Sequence, residues 1–207
     1  AASDVYKRQS EYFDELNRQA VEASLRGDKA WLQAHLLSQD TYHTELFFDE
    51  LFENRIGMQV IQQLLLATAT PFDVVDVACG NAMLLRKLRN DGHRVQGVDL
   101  SEVRVTKNSG LTIKLGFCEE LPLSNQSCDV VVALECMEHV YDLDKALREC
   151  SRILRNDGAF LCQVPLENYA DGSNHVRLFN ADRLRHAVTG VGFEVFNVWQ
   201  IPYLVGE

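Results

Sequence analysis

At 207 residues and 46% hydrophobic content, the chain is long enough to close a core without disulfide or metal support, and it suits one domain of about 100–200 residues with a small addition. Thirty acidic against twenty basic residues give a net charge of −10, which repels phosphate backbones, excludes nucleic acid as an expected partner and favours a small neutral or cationic substrate. No stretch approaches the roughly 18 uninterrupted apolar residues of a membrane helix, since even Val60 to Ala69 contains Gln62 and Gln63, so a soluble, cytoplasmic protein without a membrane partner is expected.

Residues 1–9 lack apolar periodicity and a signal-peptide core, and they read as a non-native or disordered tail. Residues 10–70 read as a helical N-terminal cap. Tyr12, Phe13, Leu16 and Ala20 share one face, Ala30 to Leu37 and Thr44 to Phe52 form two short helices, and Ile56, Val60, Ile61, Leu64 and Leu65 form a last stripe. The aromatic residues of this segment, especially Tyr12, Phe13, Phe47, Phe48 and Phe52, are expected to pack on a sheet rather than to form a lid or a dimer contact.

After Pro71 the pattern changes to short apolar runs alternating with amphipathic stretches, the signature of βαβ units around a parallel sheet. Strands are expected near Asp73–Cys79, Arg94–Leu100, Leu111–Cys118, Cys128–Cys136, Gly158–Val164 and Phe193–Gln200. Between them, Met83 to Asn90 is a helix closed by Asp91-Gly92. Asp142 caps another with an apolar stripe of Ala146, Leu147, Cys150, Ile153 and Leu154, closed by Asp157-Gly158. Asn180 caps a last helix bearing Leu184, Ala187, Val188 and Val191. The fold class is therefore α/β, a three-layer α/β/α Rossmann-like arrangement over residues 71–207 with the helical extension before it.

Five of the six cysteines, Cys79, Cys118, Cys128, Cys136 and Cys162, fall in or beside apolar runs and read as reduced core thiols. No Cys-x-x-Cys pair and no His-Cys cluster at zinc spacing occurs, so no metal is expected. The chemistry concentrates where the first strand, Val74-Val75-Asp76-Val77-Ala78-Cys79-Gly80-Asn81-Ala82, turns directly into a helix. Small residues at Ala78, Gly80 and Ala82 let a ligand lie against backbone N–H groups at the helix start. The second strand ends Gly97-Val98-Asp99-Leu100-Ser101, which brings a carboxylate to the neighbouring carboxyl edge, where it can accept both hydroxyls of a ribose. A dinucleotide site would need G-x-G-x-x-G, and here only Gly80 is a glycine, so a nicotinamide oxidoreductase is the weaker alternative.

These segments resemble the class I S-adenosylmethionine-dependent methyltransferases, and within them the small-molecule group called type 11. Asp76 to Ala82 is similar to that family's first motif and Gly97 to Ser101 to its second. The likeness continues in register through Glu119 to Val132, Glu135-Cys-Met-Glu138-His139-Val, Leu147 to Gly158, His175-Val-Arg-Leu-Phe-Asn and Gly192-Phe-Glu-Val. The resemblance implies S-adenosyl-L-methionine as cofactor and a small-molecule methyl acceptor. Asp76, Ala78, Cys79 and Gly80 would then pass the cofactor's amino-acid end, Asp99 and Leu100 would hold the ribose, Cys118 and Glu119 would flank the adenine, and Leu134 and Glu135 would lie beside the sulfonium. For a hydroxyl acceptor, His139 or His175 could take the proton, imidazole having an ordinary pKa near 6.5. The chain departs from the family in three places: Phe117 stands where an adenine-binding Asp is usual, Ala82 replaces a third glycine, and the Ser101 to Gly110 connection is short. These departures support an alternative, a methyltransferase-like nucleoside-binding module with little or no turnover. The family's final antiparallel strand is expected to be missing after Gln200, where only Ile201 to Glu207 follows.

Overall fold

The computed structural model describes residues 56–66, 70–166 and 175–199. Helix α1 (Ile56–Leu66) leads into β1 (Asp73–Val77), α2 (Met83–Asn90), β2 (Arg94–Asp99), α3 (Glu102–Lys107) and β3 (Ile113–Leu115). Then come β4 (Cys128–Leu134), α4 (Leu143–Ile153), β5 (Leu154–Gln163) and α5 (Ala181–Gly190). The five strands form one sheet in the order β3-β2-β1-β4-β5, and every neighbouring pair is parallel. The chain leaves β1 towards β2 and β3, then crosses back to lay β4 on the other side of β1. A crevice at the carboxyl ends of β1 and β4 follows from that reversal.

β1 and β4 are apolar on both faces because helices cover both. On one face Val75, Val77, Val131 and Ala133 pack with Ala146, Leu147 and Cys150 of α4 and Val188 of α5. On the other, Val74, Val130 and Val132 pack with Ile61 and Leu65 of α1 and Leu84 and Leu88 of α2. The helices start where a side chain can take an orphan N–H: Asp142 accepts from Lys145 N–H at 3.0 Å, Asn180 from Arg183 N–H at 2.9 Å and Ser101 from Arg104 N–H at 3.4 Å. The glycine of the second motif has a packing reason. A Cβ at Gly97 would come within 2.6 Å of Cys79 Sγ and 2.7 Å of Leu85 Cδ1, so only glycine lets β2 lie this close to the turn after β1.

Three expectations are corrected. Residues 193–199 carry no strand; Phe193 stacks on Phe160 of β5 with ring centroids 5.1 Å apart, and the segment lines a cleft beside β5 instead of joining its ladder. Helix α4 ends at Ile153 rather than at Asp157-Gly158, because Leu154 is already extended and pairs with Cys128. The register then slips, with Val130 opposite Ala159, and Gly158 sits where a Cβ would be 2.9 Å from the Asp129 carbonyl oxygen. Leu64 is exposed while Ile61 and Leu65 face the core, so the α1 stripe is narrower than its composition implied. The expected tail, the helices before residue 56, the 170–174 loop and the segment beyond residue 199 lie outside the described residues.

No helix among the described residues is long and apolar enough to cross a membrane.

Candidate functional site

The site begins where β1 runs out. Ala78, Gly80 and Ala82 all have φ between 53° and 60°, so the chain makes alternating left-handed steps before α2 starts. Such a conformation costs an L-residue about 1–2 kcal/mol, and two alanines adopt it here. The turn is pinned from β2: Cys79 N–H donates to the Val98 carbonyl at 3.1 Å, and Gly80 N–H donates to Asp99 Oδ2 at 2.8 Å. The second oxygen of the same carboxylate, Oδ1, accepts Ser101 N–H at 2.9 Å, and Gly116 N–H bonds the Asp99 carbonyl at 3.0 Å. Asp99 is therefore buried, held in one orientation and set beside the glycine turn. Ala82 caps α2 without a side-chain acceptor, which leaves the first N–H groups of that helix to other partners. A Cβ built on Gly80 would meet nothing nearer than Arg104 Nη1 at 3.7 Å.

Two carboxylates share this end of the sheet. Asp76 is buried in β1, and burial first, then the charge of Asp99, raise its pKa from 3.8 to about 8. Asp76 is thus the protonated member of the pair at neutral pH, able to donate an O–H. Burial, reinforced by Asp76 and Asp99, also pushes the Cys79 thiol far above its ordinary range, so Cys79 is an inert wall and not a nucleophile.

The end of β4 supplies the other side. Leu134 is buried, and Glu135 has φ 50°; its N–H donates to the Gln163 carbonyl at 3.0 Å, and Gln163 Nε2 donates to its carboxylate at 2.7 Å. Beyond it, Glu138 is wholly buried and His139 partly exposed. His175, also buried, arrives from the far side of the α4–β5 unit. The two imidazoles meet edge to face with centroids 4.9 Å apart, and His139 Nε2 lies 3.8 Å from Glu138 Oε1. Val176 N–H donates to the Glu138 carbonyl at 2.9 Å. Arg177 donates to the carbonyls of Met137 at 2.8 Å and Tyr141 at 3.0 Å, and to that of Val140, so a single guanidinium fastens both segments. Loss of solvent around it draws its pKa down to about 10.

Of the residues singled out from sequence, Asp76, Ala78, Cys79, Gly80, Asp99 and Leu100 gather at the ends of β1 and β2, and Leu134 and Glu135 stand at the end of β4. His139 and His175 meet each other. Cys118 lies with its Sγ 3.5 Å from Cys136 Sγ. Glu119 points elsewhere, since its Oε1 accepts Tyr141 N–H at 2.8 Å and Asp142 N–H at 3.4 Å, capping the approach to α4. Sequence reasoning gave Arg177 no role, and it set Glu138 aside, with Glu135, as a metal ligand. Arg177 could have been found as the cation between His175 and the apolar Leu178-Phe179, where a lone guanidinium needs buried acceptors. The expectation of no metal ligands rested on local spacing, and it passed over Glu138, His139 and His175, whose ligand atoms all lie within 4.8 Å of one another.

Residues 75–162 match the family model described as a methyltransferase domain. The chain is 31% identical over 148 residues to a Mycolicibacterium smegmatis protein named "Probable S-adenosylmethionine-dependent methyltransferase", covering 66% of this chain and 58% of that one. It is 28% identical over 124 residues to the ubiquinone biosynthesis O-methyltransferase of Coxiella burnetii, covering 56% of this chain and 52% of the relative. The chain thus spans little more than half the length of the curated relatives it matches. Among solved structures, the Burkholderia thailandensis 1,6-didemethyltoxoflavin-N1-methyltransferase, determined with S-adenosylhomocysteine, superposes with a TM-score of 0.66 at 20% identity, covering 86% of this chain and 83% of that one.

Proposed function

We propose that the chain acts as a class I S-adenosylmethionine-dependent methyltransferase, binding S-adenosyl-L-methionine across the Gly80 turn and transferring the methyl group to a small-molecule acceptor. The observation that carries this reading is the 2.8 Å bond from Gly80 N–H to Asp99 Oδ2, which sets a fixed carboxylate beside a turn where a Gly80 Cβ would meet nothing nearer than Arg104 Nη1 at 3.7 Å. Asp99 Oδ2 accepts Gly80 N–H and Oδ1 accepts Ser101 N–H, which fixes the carboxylate at the edge where a ribose would lie. The residues present fit a nucleoside without a pyrophosphate.

When bound, S-adenosylmethionine supplies a methyl group already activated on a sulfonium. The chain then has to align the acceptor and exclude water, an orientation contribution worth up to about 7–11 kcal/mol in favourable cases. Ala78, Cys79 and Gly80 would support the amino-acid end, with protonated Asp76 behind them. Asp99 and Leu100 would hold the ribose, Cys118 and Glu119 would stand on the adenine side, and Leu134 and Glu135 would flank the sulfonium. With Glu119 committed to the backbone of Tyr141 and Asp142, its part in adenine binding is as a wall and turn-former. His139 or His175 would receive the proton of a hydroxyl acceptor. The acidic surface suits a neutral or cationic acceptor, and the six free thiols suit a reducing, cytoplasmic compartment.

Calorimetric titration of the full chain with S-adenosylmethionine, S-adenosylhomocysteine and NADH tests the proposal. Heat for the first two and none for NADH is expected; silence towards both sulfur nucleosides would remove it. A chain that binds S-adenosylmethionine but passes no labelled methyl to any acceptor would be the binding module, a reading that the extra methyl group of Ala82, buried at the turn, favours.

A further inference from the structure

We propose that Glu138, His139 and His175 form a site for one divalent transition-metal ion at the carboxyl edge of the sheet. The binding itself stands apart from the methyl-transfer reading; only the role given to the ion below rests on it. Glu138 and His139 follow β4 directly, while His175 comes from 36 residues further along, so the fold and not the sequence makes the cluster. Their ligand atoms lie within 4.8 Å of one another, with the carboxylate wholly buried, one imidazole buried and the other partly exposed.

The chemistry of the set is selective. Two imidazoles and a carboxylate suit zinc, iron(II), cobalt(II) or manganese(II) and are a poor cage for calcium or magnesium. Three protein ligands leave coordination positions open, as in catalytic sites and unlike closed structural ones. The frame is also built to hold the two segments together. The Val176 N–H bond to the Glu138 carbonyl and the Arg177 bonds to the carbonyls of Met137, Val140 and Tyr141 lie on both sides of the ligands. Ligand atoms about 2.1 Å from a single tetrahedral ion stand roughly 3.4 Å apart, so the triad closes slightly on binding, chiefly by movement of the partly exposed His139 ring.

Held by residues that follow β4, such an ion would take the acceptor's hydroxyl oxygen in an open position and lower its pKa, as a bound ion does for water. The hydroxyl proton leaves to solvent, an oxygen lone pair forms the new bond to the methyl carbon, and the carbon–sulfur bond breaks with its electron pair remaining on sulfur. In that state the imidazoles are ligands to the ion and do not act as bases.

The test uses the full chain freed of metal with EDTA, then titrated with CoCl2 by visible spectroscopy and with ZnCl2 by calorimetry. Expected are saturation at one equivalent, visible cobalt bands without an intense near-ultraviolet sulfur-to-cobalt band, and at least tenfold weaker binding in His139→Ala and in His175→Ala. No binding, unchanged affinity in both variants, or a strong sulfur-to-cobalt band that places the ion on cysteines would each overturn the proposal. The wild-type cobalt spectrum decides even where a variant folds poorly. S-adenosylhomocysteine titrated into the same sample separates the two readings: metal without nucleoside binding leaves this site standing and removes the function proposed above, and nucleoside without metal does the reverse.

Discussion

Gly80 in the turn after β1 and Asp99 at the end of β2, 19 residues apart, are joined by a 2.8 Å hydrogen bond from the glycine N–H to the carboxylate. The bond fixes the direction of the carboxylate and the shape of the turn at once, so the two halves of the proposed nucleoside cradle are one mechanical unit. The φ of +53° at Gly80 completes the geometry, because it presents the backbone where a side chain would otherwise stand.

Gly80→Ala separates the conformational from the binding role of that residue. A Cβ there meets only Arg104 Nη1 at 3.7 Å, so the cost to the free protein is that of a left-handed L-residue, about 1 kcal/mol. Affinity for S-adenosylhomocysteine should fall much further, by tenfold or more, since the added methyl group occupies the approach to the turn. Chemical denaturation and calorimetry on the same variant check the two effects; equal affinity in variant and wild type would contradict this account of the turn.

The pH dependence of stability reports on Asp76. The folded chain holds its proton up to about pH 8, whereas the unfolded chain releases it near 3.8. Between those values the folded state binds more protons, so this group makes stability fall as pH rises and contributes no further change above pH 8. Asp76→Asn cannot release a proton, so its stability relative to wild type should grow from pH 5 to pH 8. Urea denaturation midpoints of both proteins at those two pH values measure this; a difference that stays constant would show that Asp76 ionises normally in the fold.

Much of the architecture could be read from sequence because its signals are local. Apolar runs around Val74 and Val130, the caps Asp142 and Asn180, and the Asp91-Gly92 stop each act within a few residues, and the structure places them as expected. The early end of α4 was hidden because Leu154 fits the helical stripe equally well, and only its pairing with Cys128 draws it into the sheet. At residues 193–199 apolar alternation was present, yet the segment packs beside β5 through Phe193 and Phe160 without joining its ladder, an outcome that no local pattern distinguishes from pairing. Within the site, the Gly80 turn and Asp99 were legible because both follow strands directly. The meeting of Glu138 and His139 with His175, and the capture of Glu119 by the backbone at Tyr141 and Asp142, depend on packing across 22 to 37 residues, which no local pattern encodes.

Arg177 should be indispensable to that packing. It donates to three backbone carbonyls that a lysine cannot reach together, because its planar fork spreads the donors. Leaving one or two of these acceptors unsatisfied costs about 1–3 kcal/mol each, so Arg177→Lys should lose about 2–4 kcal/mol of unfolding free energy. Thermal and urea unfolding measure it, and a variant as stable as wild type would show that the clamp contributes little.

The central claim is tested most directly by calorimetric titration of S-adenosylhomocysteine into wild type and Asp99→Ala. Two hydrogen bonds from a ribose diol to a carboxylate are worth about 1.5–3 kcal/mol each, so the account predicts at least a hundredfold loss of affinity in a variant that still unfolds cooperatively. A folded Asp99→Ala protein that binds the nucleoside as tightly as wild type would contradict it.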